Sequence, residues 1–261
     1  MRILVTGATG VLGTQLVRTL RQGGHSVRVM SRRALNDPDA IRADLRTGVG
    51  LREAVDGVEA VVHAASATLR AWQYGSVDVR GTRSLVAAAN EARVSHFLYP
   101  SIVGMEGVPH PYFKPKLAAE QIVAASQMGW TILRATQFYS LFCQMIELSA
   151  RSPLLIVPKR WTVQPIDPAD VAAEFLHALN TGPSGRWPDF GGPQVRTLGD
   201  MAEAWVKGRG STRRVRNLPL PGRISRPFSN GQMTCPNRAL GTITWEQWLD
   251  AGQLDSLTAK K

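Results

Sequence analysis

The first half of the chain alternates short apolar runs with stretches of helical spacing. The apolar runs, rich in Val, Ile and Leu, predict strands at residues 2–6, 26–30, 41–44, 60–63, 95–99 and 130–134. Apolar residues three and four apart predict helices at residues 11–23, 51–55, 77–93 and 112–128. Strands separated by helices need crossover connections, which build a parallel sheet covered on both faces. The pattern therefore predicts an α/β fold with a doubly wound parallel Rossmann sheet, whose ligand site lies at the carboxyl ends of the strands.

The pattern changes after Ala135. Helices are predicted at residues 137–150 and 169–179, on either side of a Pro-punctuated stretch, and the remainder is rich in Gly, Pro and Arg. We therefore expect a Rossmann domain at residues 1–136, with a return segment at about 163–180. A small substrate lobe would comprise residues 137–162 and 181–261. Four tryptophans supply apolar area to this lobe, as core or as cleft wall: Trp187, Trp205, Trp245 and Trp248.

Composition limits the class and compartment of the protein. With 24 Gly and 16 Pro in 261 residues, the chain is globular rather than low in complexity. Cys143 and Cys235 lie far apart, which excludes a disulfide framework and a zinc cluster, so we read both as packing residues in a reducing compartment. No secretory leader and no membrane-length apolar run is present, and a cytoplasmic protein is expected.

The net charge is +11, which would attract phosphates, nucleic acid or anionic lipid. The Arg-rich stretch 209–226 lacks interleaved aromatic residues and any nucleic-acid motif. We therefore expect a solvated basic face and no nucleic-acid partner. An anionic substrate or partner is the alternative.

A glycine-rich turn follows the first predicted strand directly and opens the first predicted helix. Glycines there allow a tight turn, close approach of a pyrophosphate and close packing of helix on strand. The helix amino terminus offers N–H groups and the positive end of its dipole to phosphate. The turn predicts a dinucleotide site, against the alternative of an ordinary strand-to-helix turn, and its residues are Gly7, Thr9, Gly10, Val11, Leu12 and Gly13.

The end of the second strand reads Ser31, Arg32 and Arg33. Folds that bind NAD usually place Asp or Glu there for the ribose 2′-hydroxyl. A guanidinium instead binds a 2′-phosphate, which a carboxylate would repel. The sequence therefore favours NADP(H) over NAD, unless the arginines belong to a solvated loop. Two further loops should edge the cofactor: Asp44 and Leu45, and Ala64, Ala65 and Ser66.

Six motifs together carry a family resemblance. They are TGATGVLG at 6–13, VVHAAS at 61–66, DVRGTRSLVAAA at 78–89, FLYPSIVG at 97–104, YFKPKLAAE at 112–120 and LRATQFY at 133–139. Over roughly residues 1–180 the chain resembles the atypical, NmrA-like branch of the short-chain dehydrogenase/reductase superfamily, whose members bind NAD(P) in a Rossmann fold. The resemblance implies one Rossmann domain with a small carboxyl-terminal substrate lobe, and residues 163–179 are similar to the family's return segment.

The resemblance also implies a catalytic set, Ser101, Tyr112 and Lys116. In the family, the Ser hydroxyl holds a carbonyl oxygen while the Tyr donates a proton to it. The Lys binds the nicotinamide ribose, and its ammonium group favours the phenolate form of the Tyr. A Tyr and a Lys four residues apart share one helix face. The nicotinamide itself supplies the hydride.

Two residues depart from the family's pattern. Pro115 biases Lys114 away from helical geometry, so the helix could begin later in the sequence. If Tyr112 is the cap residue, Pro115 falls in the first turn of the helix, where its missing N–H costs nothing. Asp78 stands where the family has Asn. Atypical members also sometimes bind the cofactor without the full catalytic set.

Structural alternatives therefore remain for the same residues. Ser101 would satisfy a strand end, Tyr112 would be a helix-start aromatic, and Lys116 would pair with Glu120 one turn on. His63, on an apolar strand, is read as a satisfied core histidine rather than an acid or base.

The leading hypothesis is an NADPH-dependent oxidoreductase that reduces a small, mainly apolar carbonyl or quinone. Segment 138–164 would roof the nicotinamide with apolar and aromatic side chains, unless they form the lobe's own core: Phe138, Tyr139, Phe142, Met145, Leu154, Ile156 and Trp161. The alternatives are a non-catalytic NADP(H)-binding redox sensor of NmrA type and a sugar-nucleotide epimerase. The apolar lobe disfavours the epimerase.

Overall fold

The computed structural model describes residues 1–67, 73–149 and 154–252. Its strands are β1 (Arg2–Thr6), β2 (Ser26–Ser31), β3 (Ala40–Arg42), β4 (Ala60–His63), β5 (His96–Ile102), β6 (Gly129–Ala135), β7 (Leu154–Pro158), β8 (Thr162–Val163), β9 (Gly185–Arg186), β10 (Arg196–Thr197) and β11 (Arg214–Leu218). Its helices are α1 (Val11–Gln22), α2 (Leu51–Val55), α3 (Thr82–Glu91), α4 (Phe113–Ala124), α5 (Tyr139–Ser149), α6 (Pro168–Thr181), α7 (Leu198–Gly208), α8 (Arg226–Ser229) and α9 (Trp245–Asp250). A π-helical segment, Tyr74–Gly81, runs directly into α3. The last residue of the predicted helix 137–150, part of the predicted roof segment 138–164 and residues 253–261 of the predicted lobe lie outside the described residues.

Seven strands form a parallel sheet in the order β3-β2-β1-β4-β5-β6-β9. Because β1 pairs with β2 on one side and β4 on the other, the strand order reverses beside the end of β1. That reversal is where a doubly wound fold binds its ligand. The predicted Rossmann class is confirmed, and all six strands predicted in the first half are present.

The chain divides into two compact units. Among the described residues, the first unit takes in Met1–Ser101, His110–Arg134 and Val171–Pro188, and the second takes in Ile102–Pro109, Ala135–Asp170 and Asp189–Lys261.

The core of the first unit forms where helices cover the sheet. Every residue of β4 is buried, as expected for a strand covered on both faces. Leu85 on α3 and Val123 on α4 pack with Phe97 of β5 in one cluster. Leu16 of α1 is also fully buried. The helices therefore bury the apolar side chains of the sheet.

The second unit has an aromatic core of its own. Trp245 and Trp248 of α9 stack with ring centroids 5.4 Å apart and pack with Trp205 of α7. Sequence periodicity did not predict α7 or α9, although each begins with a capping box, at Thr197 and Thr244. Within the described chain, none of the helices has the combination of length and apolar character needed to cross a bilayer.

Candidate cofactor and catalytic site

The glycine turn after β1 is too tightly packed for side chains at two of its positions. Gly7 has φ +67, and a Cβ there would lie 2.6 Å from the Cα and N atoms of Ala65. A Cβ at Gly13 would lie 2.0 Å from the carbonyl oxygen of Gly7. Gly10 donates its N–H to the same oxygen at 2.8 Å, which closes the turn. The turn thus has the geometry that a pyrophosphate-binding loop requires.

The turn presents the amino terminus of α1. Gly10 is the cap residue, and no side chain of the described structure caps it. The N–H groups of the first helical turn, at Val11, Leu12 and Gly13, have no carbonyl partner inside the helix. Thr9 and Val11 are exposed beside them. This end of the helix fits an anionic group.

His63 is a structural residue of the strand edge. Its ring nitrogens lie 2.7 Å from Thr6 Oγ1 and 3.0 Å from Thr82 Oγ1, so both are satisfied. Burial, with the charge of Lys116 adding, lowers the pKa of His63 to about 3. The ring is neutral at physiological pH, which confirms the structural interpretation of this histidine.

The predicted 2′-phosphate residues follow β2 on the surface. Arg32 and Arg33 are exposed, and neither forms an ion pair with any described residue. Ser31 Oγ accepts a hydrogen bond from the N–H of Arg33 at 3.1 Å. The nearby carboxylate of Asp37 is paired with Arg21 at 2.9 Å. Two guanidinium groups therefore stand at this strand end without a counter-charge.

The two other predicted cofactor loops follow β3 and β4 in the first unit. Asp44 Oδ1 accepts from the N–H of Arg46 at 2.8 Å. Leu45 is buried, and a Cβ on Gly81 would lie 2.9 Å from the Leu45 Cβ. Ala64 and Ala65 are half-buried in the loop after β4, which the glycine turn contacts.

Pro115 is accommodated at the start of α4. Tyr112 is the cap residue, α4 begins at Phe113, and Lys116 N donates to Tyr112 O at 3.4 Å. Pro115 therefore lies in the first turn, where an amide has no helical partner to lose. The helix is not delayed, and Tyr112 and Lys116 lie one turn apart.

Lys116 is fixed inside the first unit. Only 4% of it is exposed, and Nζ donates to the carbonyl oxygen of Pro100 at 2.8 Å. Nζ also lies 4.1 Å from the ring centroid of Tyr99. Burial lowers the pKa of Lys116 to about 8, although the charges of Asp78 and Glu120 oppose this shift. The lysine is thus a cation near neutral pH that loses its proton in mild alkali.

The alternative pairing of Lys116 with Glu120 does not occur in the described structure. Glu120 instead makes a bidentate ion pair with Arg134, at 2.7 and 2.6 Å, and both side chains are buried. Lys116 is therefore available at the end of β5 rather than neutralised on its own helix.

Tyr112 belongs to a hydrogen-bonded chain that sequence reasoning missed. Its hydroxyl lies 2.9 Å from Ser66 Oγ, which lies 2.5 Å from Asp78 Oδ1. Asp78 is 1% exposed, and its second oxygen accepts from the N–H of Ala67 at 3.1 Å. Ser66 donates its one hydroxyl hydrogen to Asp78, so Tyr112 donates to Ser66. Asp78 thus orients this chain at the position where the resembled family has Asn.

Ser101 lies at the end of β5, next to the Pro100 carbonyl that holds Lys116. It is 6% exposed, and its hydroxyl has no hydrogen-bond partner among the described residues. A buried hydroxyl in this condition is suited to a ligand. The structure therefore links Tyr112 to Ser66 and Asp78, while Ser101 stands outside that chain.

In the second unit, three of the seven predicted roof residues belong to the core, whereas Leu154 and Ile156 are exposed. Tyr139, Phe142 and Trp161 are buried in its aromatic cluster, so the alternative reading is correct for these three. Gln137 was not predicted: it is 9% exposed, and neither side-chain polar atom has a partner in the part of the chain described. A buried unsatisfied amide is a candidate ligand contact, and no sequence pattern reveals it.

The two cysteines are packing residues in the structure. Both are free thiols, and burial raises the pKa of Cys143 to about 12 and that of Cys235 to about 11. The thiols are protonated at neutral pH and are poor nucleophiles.

A parallel sheet of this order, with a glycine turn after β1, is typical of a dinucleotide-binding Rossmann fold. Residues 7–180 match the family model described as NAD(P)H-binding, so the chain belongs to that NAD(P)H-binding family. The NmrA-like resemblance found in the sequence is confirmed.

Curated relatives and solved structures agree with this assignment. A ceramide reductase of Caulobacter vibrioides is 30% identical over 195 residues, which cover 69% of this chain and 61% of the relative. A photosystem II assembly factor Ycf39 of Cyanophora paradoxa is 28% identical over 69% of this chain and 59% of its own. The chain thus spans about six-tenths of the length of these two relatives.

The fold also matches an NADPH-dependent quinone oxidoreductase of Escherichia coli, solved in complex with NADPH. The TM-score is 0.80 at 20% identity, over 96% of this chain and 99% of that chain.

Proposed function

We propose that this chain is an NADPH-dependent reductase of a small, mainly apolar carbonyl or quinone. The observation that carries the proposal is the chain from Tyr112 through Ser66 to Asp78, with Lys116 held at the end of β5. It combines an oriented phenol and a buried cation in the unit that contains the glycine turn. This is the set of groups that a carbonyl reduction needs from the protein.

The cofactor fits the first unit at three places. The space around Gly7 and Gly13 is closed to a Cβ, and the amides of the α1 amino terminus would bind the diphosphate. Arg32 and Arg33 would bind the 2′-phosphate. Lys116 would bind the nicotinamide ribose. When bound, the nicotinamide supplies the hydride.

The protein residues supply position and proton. Tyr112 exchanges its bond with Ser66 for one to the substrate oxygen, and it donates its proton there. The ammonium group of Lys116 stabilises the phenolate that remains. The buried hydroxyl of Ser101 donates a hydrogen bond to the same oxygen. Asp78 keeps Ser66 oriented, so the phenol returns to one position after each turnover.

The apolar substrate class is supported by relatives rather than by the predicted roof residues, three of which are core. The Caulobacter relative is named a ceramide reductase, and the Escherichia coli structure is a quinone oxidoreductase.

Catalysis is tested by NADPH oxidation with a panel of quinones, ketones and aldehydes. Tyr112→Phe is expected to lower kcat by about a hundredfold or more while the Kd for NADPH stays unchanged. Tyr139→Phe is the matched control, because it also removes a hydrogen-bonded phenol hydroxyl, one that donates to the Ile243 carbonyl in the second unit. Undiminished turnover by Tyr112→Phe would remove this tyrosine from its role.

Cofactor choice is tested by calorimetry. The double variant Arg32→Gln/Arg33→Gln is expected to lose about tenfold to a hundredfold in NADPH affinity and to keep its affinity for NADH. Equal or tighter binding of NADH by the unaltered protein would refute the preference for NADPH.

One observation favours a second function, a non-catalytic NADP(H)-binding redox sensor. The phenol of Tyr112 is bonded to Ser66, whereas Ser101 stands outside that chain. Under this alternative no panel compound is reduced, and a partner protein is retained in a cofactor-dependent way. Turnover of any panel member at a useful rate would exclude it.

A further inference from the structure

The second unit carries a two-stranded ribbon with one face in the core and one face outside. Strands β7 and β11 pair in parallel, with Arg214 opposite Leu154 and Arg216 opposite Ile156. Leu155 and Val157 point into the aromatic core. Because alternate residues of a strand share a face, Ile156 and Arg216 lie together on the outer face.

This outer face combines aliphatic and basic side chains. Ile156 is 47% exposed and Leu218 is 49% exposed, and the chain that follows adds Leu220 and Ile224. The same part of the chain carries five exposed arginines, Arg213, Arg214, Arg216, Arg223 and Arg226. We call this set, from β7, β11 and residues 213–226, the basic ribbon.

The sequence around residues 213–226 of the basic ribbon contains no acidic residue. Between Glu203 and Glu246 the sequence has eight Lys and Arg residues and no Asp or Glu. None of the five ribbon arginines forms an ion pair with a residue that the structure describes. The charge is therefore available to a partner.

We propose that the basic ribbon docks on an anionic lipid surface. Exposed aliphatic side chains next to unpaired arginines are the combination that peripheral membrane sites use, since the apolar groups enter the acyl boundary while the arginines bind lipid phosphates. A second copy of this chain would oppose the same arginines and be repelled. Nucleic acid would leave the aliphatic groups without a partner, and stretch 211–224 has no aromatic residue to stack on bases.

The proposal does not depend on the proposed reductase activity, because it is tested by binding alone. The full chain is sedimented with vesicles of phosphatidylcholine plus phosphatidylserine, and with vesicles of phosphatidylcholine only. Binding is expected to the first and to be much weaker to the second, and it should fall with added salt.

Two double variants separate the contribution of the arginines from that of the aliphatic side chains. Arg214→Gln/Arg216→Gln is expected to lower binding by about 25-fold, at about fivefold per arginine, and to flatten the salt dependence. Ile156→Ser/Leu218→Ser is expected to lower binding by about tenfold with the salt dependence kept. Arg52→Gln/Arg83→Gln is the control, because it removes the same charge from exposed sites in the first unit.

Three outcomes would overturn the proposal. The first is no binding to phosphatidylserine vesicles. The second is the same loss from the ribbon variant and from the control variant, which would show that only net charge matters. The third is tighter retention on duplex DNA than on anionic vesicles, with the same dependence on Arg214 and Arg216.

Discussion

Replacing Asp78 by Asn tests whether a buried carboxylate organises the site. The substitution keeps the side-chain shape but leaves one oxygen in place of two acceptors. The carboxylate now accepts from Ser66 at 2.5 Å and from the N–H of Ala67 at 3.1 Å. In the Asp78→Asn variant, one of those donors faces an NH2 group. The lost contact is a hydrogen bond to a charged group in a site that is 1% exposed.

The magnitude follows from that single lost bond. A hydrogen bond to a charged group contributes about 1.5–3 kcal/mol, so the free energy of unfolding should fall by that amount. For a chain of this size Tm should fall by roughly 3–12 °C. Because Ser66 then orients Tyr112 less well, kcat should also fall, by about tenfold, with the Kd for NADPH unchanged.

Urea unfolding, thermal unfolding and steady-state kinetics measure these effects. Asp56→Asn is the control, because Asp56 is an exposed carboxylate of the same unit. A double-mutant cycle with Ser66→Ala should show a coupling energy of about 1 kcal/mol between Asp78 and Ser66. The reasoning is refuted if Asp78→Asn is as stable as the unaltered protein, or if the two substitutions are strictly additive.

The other predictions concern the glycine turn and two titrating groups. Gly13→Ala should raise the Kd for NADPH about tenfold to a hundredfold in calorimetry, whereas Gly10→Ala should change it far less. A Cβ at Gly13 would lie 2.0 Å from Gly7 O, whereas a Cβ at Gly10 would lie 3.1 Å from it. Equal effects of the two substitutions would contradict the packing argument. The folded pKa of His63 is about 3, against 6.5 when unfolded, so its contribution to stability is present above pH 6.5 and is lost as the pH falls, by about 1.4 kcal/mol per unit. Urea unfolding at several pH values measures this pH dependence of the free energy of unfolding. His63→Gln should lower its slope by the contribution of one proton, and His177→Gln, at an exposed site, should leave the slope unchanged. The pKa of Lys116 is about 8, so turnover should fall as the pH rises through 8. The free energy of unfolding should rise between pH 8 and 10.5, because the unfolded chain binds more protons than the folded protein in that range. Lys116→Met should lose the pH dependence of turnover and that of stability.

Local patterns in the sequence were enough to predict six of the seven strands of the sheet, all but β9. The strands of the sheet are continuous apolar runs, and the glycine turn follows β1 without interruption, so both signals lie within a few neighbouring residues. Pro115 was also interpretable locally, since its effect depends only on where the helix starts. The identity of the fold and the place of the dinucleotide turn therefore followed from the sequence.

The second unit was much less predictable. Strand β11 pairs with β7 across a long stretch of chain, and the continuous apolar run of β7 does not reveal that Leu154 and Ile156 are exposed. Sequence alone also left open whether Tyr139, Phe142 and Trp161 line a pocket or form a core, because an aromatic residue suits either environment. The structure places these three in the core.

The sequence by itself determined the parallel sheet, the glycine turn and the one-turn spacing of Tyr112 and Lys116, because each depends on residues close together in the chain. Only the tertiary structure decided that Asp78 reaches Tyr112 through Ser66, since Ser66 and Tyr112 are 46 positions apart. Hydrogen bonds between distant segments depend on how helices and strands pack, and periodicity does not encode that packing. In the sequence, Asp78 is a departure from the pattern of the resembled family. In the folded protein, it accepts the hydrogen bond that orients Ser66 toward Tyr112.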